Sequence, residues 1–130
     1  MYEFLSVDDV LLIHQHQIDR FGGATGVRDF DLLESALAQP PMTFGDQFLH
    51  QDVFEMASAY LFHLTSNHPF IDGNKRIGLA CALIFLDLNG VLISTGTDQL
   101  YVLTMEVAQG RKTKEEIAQC FRELHQAQSS

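Results

Sequence analysis

Cysteine is scarce: only Cys81 and Cys120 carry thiols, and two thiols cannot build a disulfide framework. Both fall on apolar helical stripes, so they are expected as reduced, buried thiols of a cytoplasmic protein. No CxxC pair and no Cys/His metal-ligand spacing occurs. Basic residues are few, 8 against 17 acidic ones, for a formal net charge of −9. Such a chain repels a phosphate backbone on average, so direct nucleic-acid binding is not expected. Five of the 8 basic residues nevertheless fall in two clusters, Lys75–Arg76 and Arg111, Lys112, Lys114. Long apolar runs are missing. The longest, Ile77 to Leu86, spans ten residues, well short of the roughly 20 that a membrane span needs. The first residues include Glu3, Asp8 and Asp9 and no basic run, so neither a signal peptide nor membrane contact is expected. Repeats, low-complexity tracts and linkers are also missing, which leaves one domain over 1–130. A chain of this length can bury enough surface to fold without disulfides or metal.

What is present is helical periodicity almost throughout. Ser6 to Asp9 has capping-box spacing, with Val10, Ile13, Gln17 and Phe21 following and Gly22-Gly23 as the stop. Asp29 can cap a second helix striped by Leu32, Leu33, Ala36 and Leu37 and ended by Pro40-Pro41. Residues 40–51 lack a helical period and read as a loop or short hairpin. Asp52 opens a third helix, with Val53, Ala57, Tyr60, Leu61 and Leu64 on one face. A fourth, about 75–88, is apolar nearly all round, as a central buried helix should be. Val91 to Ile93 reads as a short extended piece. Thr97 can cap a fifth helix, and Thr113 with Glu116 forms a capping box for a sixth that is expected to fray at its end. The fold class expected is all-α: a compact bundle of about six helices around the central helix, with a short flap at about 40–51.

The chemically informative segment is His68-Pro-Phe-Ile-Asp-Gly-Asn-Lys-Arg76, placed just before that central helix. A helix N-terminus offers unpaired N–H groups and a positive dipole end, and therefore an anion site. Gly73 removes a side chain where an anion could approach the backbone. Asn74, Lys75 and Arg76 add donors of the kind that bind phosphate. Asp72 supplies a hard oxygen ligand suited to Mg²⁺. His68 is a titratable base. Taken singly, each has a bland role: Asp72 an N-cap, Gly73 a turn, Lys75 and Arg76 a solvated first turn. Two cations at a helix N-terminus oppose the dipole, however, and an anionic ligand removes that cost. Together they fit phosphoryl or nucleotidyl transfer, which is mostly positioning and charge stabilisation.

The same nine residues resemble the Fic motif, HPFx(D/E)GNGR, and are most similar to the Doc (death on curing) toxin branch, in which Lys replaces the last Gly. Phe21 to Gly26, Arg28-Asp29, Leu33 to Leu37 and Phe85 to Gly90 are similar to the same branch, so the resemblance covers about residues 1–125. It implies the helical Fic/Doc fold. It gives His68 the role of general base toward a target hydroxyl, and Asp72 that of the ligand of Mg²⁺ on ATP. Gly73, Asn74, Lys75 and Arg76 become the phosphate-binding loop, and Phe70 a structural anchor. The flap would position the target chain, with Asp46, Gln47 and His50 as its candidate contacts. The resemblance further implies the toxin of a type II toxin–antitoxin system, a protein kinase that moves the ATP γ-phosphate to a threonine of elongation factor Tu and arrests translation. A Phd-like antitoxin would neutralise it and supply the DNA contact. The pattern's second Arg is absent, with Leu79 in its place, and Lys75 replaces the Gly that lets the α-phosphate reach the reactive position. Gly73 stands where some Doc proteins have Ala and keeps open the general Fic reaction, protein nucleotidyl transfer (AMPylation). A non-catalytic antitoxin-binding corepressor is a third reading. No (S/T)xxxE(G/N) inhibitory segment is present, since Thr104 to Gly110 lacks the Glu.

Outside the motif the expectations are plain. His14, His16 and His63 lie on helices without ligand-spaced partners and are expected to be structural or at the surface. Arg111, Lys112 and Lys114 read as a solvated turn before the last helix. Tyr60, Phe62 and Phe85 read as core aromatics.

Overall fold

Short polar side chains start four of the helices in a computed structural model that describes residues 1–129. Helix α1 (Val7–Phe21) opens on the full Ser6/Asp9 capping box. Asp29 accepts from the Leu32 N–H to start α2 (Phe30–Ala38), and Asp52 accepts from Glu55 N–H to start α3 (Val53–Asn67). Before α6 (Lys114–Ser129), the Thr113 and Glu116 side chains each accept the other's backbone N–H. Each such cap satisfies donors that the first helical turn leaves orphaned.

The other two helices start differently. Helix α4 (Asn74–Leu88) has left-handed Gly73 at its N-cap, with no side-chain cap. Helix α5 (Thr97–Ala108) starts the same way on Gly96, so Thr97 is its first helical residue rather than its cap. Residues 91–94 run between α4 and α5 without pairing, so the extended piece expected there is not a strand. Helix α6 continues to Ser129, and Ser130, the last of the residues expected to fray, lies outside the described ones. The flap is a hairpin, β1 (Thr43–Phe44) antiparallel to β2 (Gln47–Phe48), with Thr43 opposite Phe48.

Helices α3 and α4 form the middle of the bundle. Helix α3 packs on α2, α4, α5 and α6, and α4 packs on α1, α3 and α5. One core joins Leu33, Met56, Tyr60, Leu64, Phe70, Ile77, Cys81, Phe85, Ile117 and Phe121. Helix α4 is buried along one side, while Ile84 and Leu88 reach solvent. Cys81 is a buried thiol and Cys120 a half-buried one, and neither forms a disulfide. The α3–α4 seam is close at Gly78, where an added Cβ would sit 2.7 Å from Thr65 Oγ1. Among the described residues, no helix is long and apolar enough to cross a membrane.

Candidate active site

The segment joining the two middle helices is the motif itself. Helix α3 ends at Asn67, and His68 takes the left-handed conformation (φ 51°, ψ 51°), the only described non-glycine residue with positive φ. Phe70 then drops into the core at 1% exposure. That burial contributes about 1.5–3 kcal/mol and pins the loop to the bundle. Gly73 turns the chain into α4 at φ 78°, a conformation glycine takes without the Cβ penalty.

A second segment straps the loop from outside. Residues 26–29 run antiparallel to it: Arg28 and Asp29 N–H both donate to Pro69 O, and Ile71 N–H donates to Gly26 O. Arg28 also donates from Nε to His68 O (2.7 Å) and from a guanidinium nitrogen to Asn67 O (3.0 Å). These bonds satisfy carbonyls at the end of α3 and support the left-handed His68.

The motif side chains surround a cavity of about 460 Å³ lined by His68, Ile71, Asp72, Gly73, Asn74, Lys75, Arg76 and, from α5, Ala108. At its floor is the α4 N-terminus without a side-chain cap, which leaves donors and the positive dipole end facing an incoming anion. Lys75 is exposed beside it, and its ammonium makes no ion pair among the described residues. Arg76 donates to Gly22 O at 2.9 Å and lies over the Phe21 ring, which fixes its guanidinium at the edge of the cavity.

Asp72 does not cap α4. Its Oδ1 accepts from Gly73 N–H (2.8 Å) and its Oδ2 from Ala24 N–H (3.2 Å). These two bonds, with Arg76 nearby, hold its carboxyl below the usual range, because donors favour the charged form. No group of three or more His, Cys, Asp or Glu gathers at one point among the described residues. A single aimed carboxylate fits Mg²⁺, which keeps waters and shares phosphate oxygens rather than needing a protein cage.

Asn74 is only 5% exposed, and its side chain is fully engaged. Oδ1 accepts from Phe70 N–H, while Nδ2 donates to Phe70 O and to His68 Nδ1 at 3.1 Å. What Asn74 can offer a phosphate is therefore its main-chain N–H at the start of α4. Because Nδ1 of His68 accepts, the neutral ring carries its proton on Nε2.

The flap candidates separate. Asp46 and Gln47 are exposed on the hairpin. His50 is 5% exposed and turned inward, so it anchors the flap instead of facing a target chain. Its Nε2 lies 3.2 Å from Lys114 Nζ, and His63 Nε2 lies 3.1 Å from the same atom. Lys114 is thus an anchor between flap, α3 and α6 rather than part of a solvated turn. Burial and the Lys114 charge lower the pKa of both histidines, that of His63 to about 4.

Residues outside the motif complete the site. Ala24, Arg28 and the buried His14 hold the loop in place. Glycines 22, 23 and 26, all at positive φ, were the available signal for a shaped segment, but nothing in their spacing names the loop they touch.

Residues 4–86 match the Fic/DOC family. The chain is 38% identical over 98 residues to a protein named Toxin Doc from Mycolicibacterium smegmatis, covering 75% of this chain and 73% of that one. It is 30% identical over 121 residues to a protein named Protein kinase doc from Escherichia phage P1, covering 93% and 94%.

Proposed function

The chain belongs to the Fic/DOC family, within reach of its Doc toxins, and from that premise we propose that it is a toxin kinase moving the ATP γ-phosphate to a hydroxyl of a target protein. The observation that carries this reading is Lys75: an ammonium with no ion-pair partner among the described residues, at the mouth of an uncapped helix N-terminus. Its bulk and charge disfavour an α-phosphate at the reactive position and favour a terminal phosphate held there. The phage relative is itself named a protein kinase.

The main-chain N–H groups at the start of α4, with Lys75 and Arg76, hold the phosphates. Asp72 would hold Mg²⁺, which supplies charge neutralisation across the phosphate oxygens. The target hydroxyl oxygen attacks the γ-phosphorus, the bond to the bridging β–γ oxygen breaks, ADP leaves, and His68 takes the hydroxyl proton. That step needs a free lone pair on the ring. At rest Asn74 occupies Nδ1, so in the reacting complex the ring turns off Asn74 and presents an unprotonated nitrogen. The hairpin bearing Asp46 and Gln47 would align the target backbone by edge pairing.

The target is a threonine of elongation factor Tu, so that transfer arrests translation, and an antitoxin neutralises the protein and brings it to operator DNA. The cytoplasm is the site of action. The test uses purified protein, Mg²⁺ and bacterial lysate with ATP labelled on the γ- or the α-phosphate. Label from γ alone on a band of elongation-factor size is expected. Label from α would replace the proposal with nucleotidyl transfer, and label from neither, with tight antitoxin binding, would replace it with a corepressor role.

A further inference from the structure

The structure assigns His14 as a positioning residue for the phosphate-binding loop, a role that rests on the transfer reaction proposed above. His14 lies on α1, 58 residues before Asp72, yet its Nε2 is 2.8 Å from Asp72 O. A carbonyl only accepts, so Nε2 carries the proton. The imidazole lies flat on Phe70, with ring centroids 3.8 Å apart and planes 9° apart. Its Nε2 would also sit 3.7 Å from a Cβ on Gly73. One buried ring, 3% exposed, therefore touches Phe70, Asp72 and the space above Gly73.

The contact selects the orientation of one peptide. In a trans peptide the C=O and N–H point in opposite directions. With Asp72 O tied to α1, Gly73 N–H is turned away from α1 and onto Asp72 Oδ1. The other carboxylate oxygen takes Ala24 N–H. The carboxylate is thus aimed by a peptide plane that His14 holds. Glycine at position 73 has no Cβ to oppose rotation of that plane, so the hydrogen bond decides it. Releasing it would swing the Asp72 carboxylate and the Gly73 amide that it accepts from together, at the entry to the α4 N-terminus, and misplacement of about 1 Å costs up to roughly 100-fold in rate.

A merely packed histidine and a positioning one make different demands. Packing on Phe70 needs a flat ring; positioning needs a donor at Nε2. His14→Phe keeps the ring and removes the donor. His14→Gln loses the ring and returns an amide donor near the same point. The Phe variant is expected to keep its Tm, to lose about tenfold or more in kcat/KM for γ-phosphate transfer from ATP, and to exchange its Gly73 and Ala24 amide protons about fivefold faster, with α3 amides unchanged. The Gln variant should recover activity to within about threefold of wild type. Unchanged Gly73 and Ala24 exchange in the Phe variant would overturn the assignment. So would a Gln variant as slow as the Phe variant at equal folded fraction. Amide exchange needs no turnover: if the wild type transfers no label, the proposed kinase fails, while the Gly73 amide still decides the role of His14.

Discussion

His68 is held in a conformation that its side chain disfavours. A non-glycine residue in the left-handed region carries about 1 kcal/mol or more of strain, and here Arg28 on its carbonyl and Asn74 on its ring oppose relaxation. His68→Gly should therefore raise stability by about 1 kcal/mol in urea titration while abolishing label transfer. His68→Ala should abolish transfer with little change in stability. Either variant retaining transfer would remove His68 from the chemistry. Asn74→Ala deletes three hydrogen bonds at once and leaves the buried Phe70 N–H and C=O unpaired. It should cost about 1–3 kcal/mol, and ¹⁵N spectra should show His68 losing its fixed Nε2–H tautomer. The motif was legible because its residues are contiguous and their types converge on one chemistry. His14, Ala24 and Arg28 were not, because each acts on the loop from a distant segment. His14 shows the difficulty plainly: an imidazole among apolar neighbours on a helical stripe has the same sequence signature whether it packs or aims a peptide.

Helices supply rigidity at two places where the site depends on it. The first is the α3–α4 seam. Gly78→Ala would ordinarily gain about 1 kcal/mol of helix propensity, but its Cβ would meet Thr65 Oγ1 at 2.7 Å and Leu61 O at 3.3 Å. The variant should instead lose about 1–3 kcal/mol, and adding Thr65→Ala should restore much of the loss, as a double-mutant cycle would show. The second is the latch of Lys114 with His50 and His63. In the folded protein the His63 pKa falls from 6.5 to about 4, so on acidification the unfolded chain takes up the proton first. The latch's contribution is therefore full above about pH 6.5 and is lost as pH falls toward 4. Stability measured across that window should drop less steeply in His63→Gln, which can still accept from Lys114 but does not titrate; an unchanged slope would remove His63 from the titration. Helix starts at Ser6, Asp29, Asp52 and Thr113 were readable because a cap is a local signal. The starts on Gly73 and Gly96 were not, since a left-handed glycine caps with its backbone alone. The latch joins residues 51 and 64 positions apart, a separation that no local pattern carries.

Across the whole molecule, the N-terminal segment ties the flap to the core. Leu5 N–H donates to the buried Tyr60 hydroxyl at 2.9 Å, and Asn89 bonds both N–H and C=O of Glu3 from 86 residues away. Phe4 stacks on Phe85 of α4 and also meets Phe48 of the hairpin, while Tyr2 packs edge-on against Phe48. The hairpin has two residues per strand, too few to hold itself in water. Its position therefore depends on this aromatic cluster on one side and on the His50–Lys114 latch on the other. Deleting residues 1–5 removes the cluster and leaves the Tyr60 hydroxyl without its Leu5 partner. The loss should be about 2–4 kcal/mol by urea titration, comparable to truncating a large core side chain. Phe48→Ala is the narrower test, because it leaves the Phe4–Phe85 stack and the Tyr60 bond in place. If the hairpin aligns a target chain, Phe48→Ala should raise KM for the protein target while KM for ATP stays near wild type, since the cavity proposed to take the phosphates is lined by the loop from 68 to 76 and Ala108, not by the hairpin. Equal losses in both constants would mean that the hairpin shapes the nucleotide site itself, and unchanged constants would mean that it holds no target.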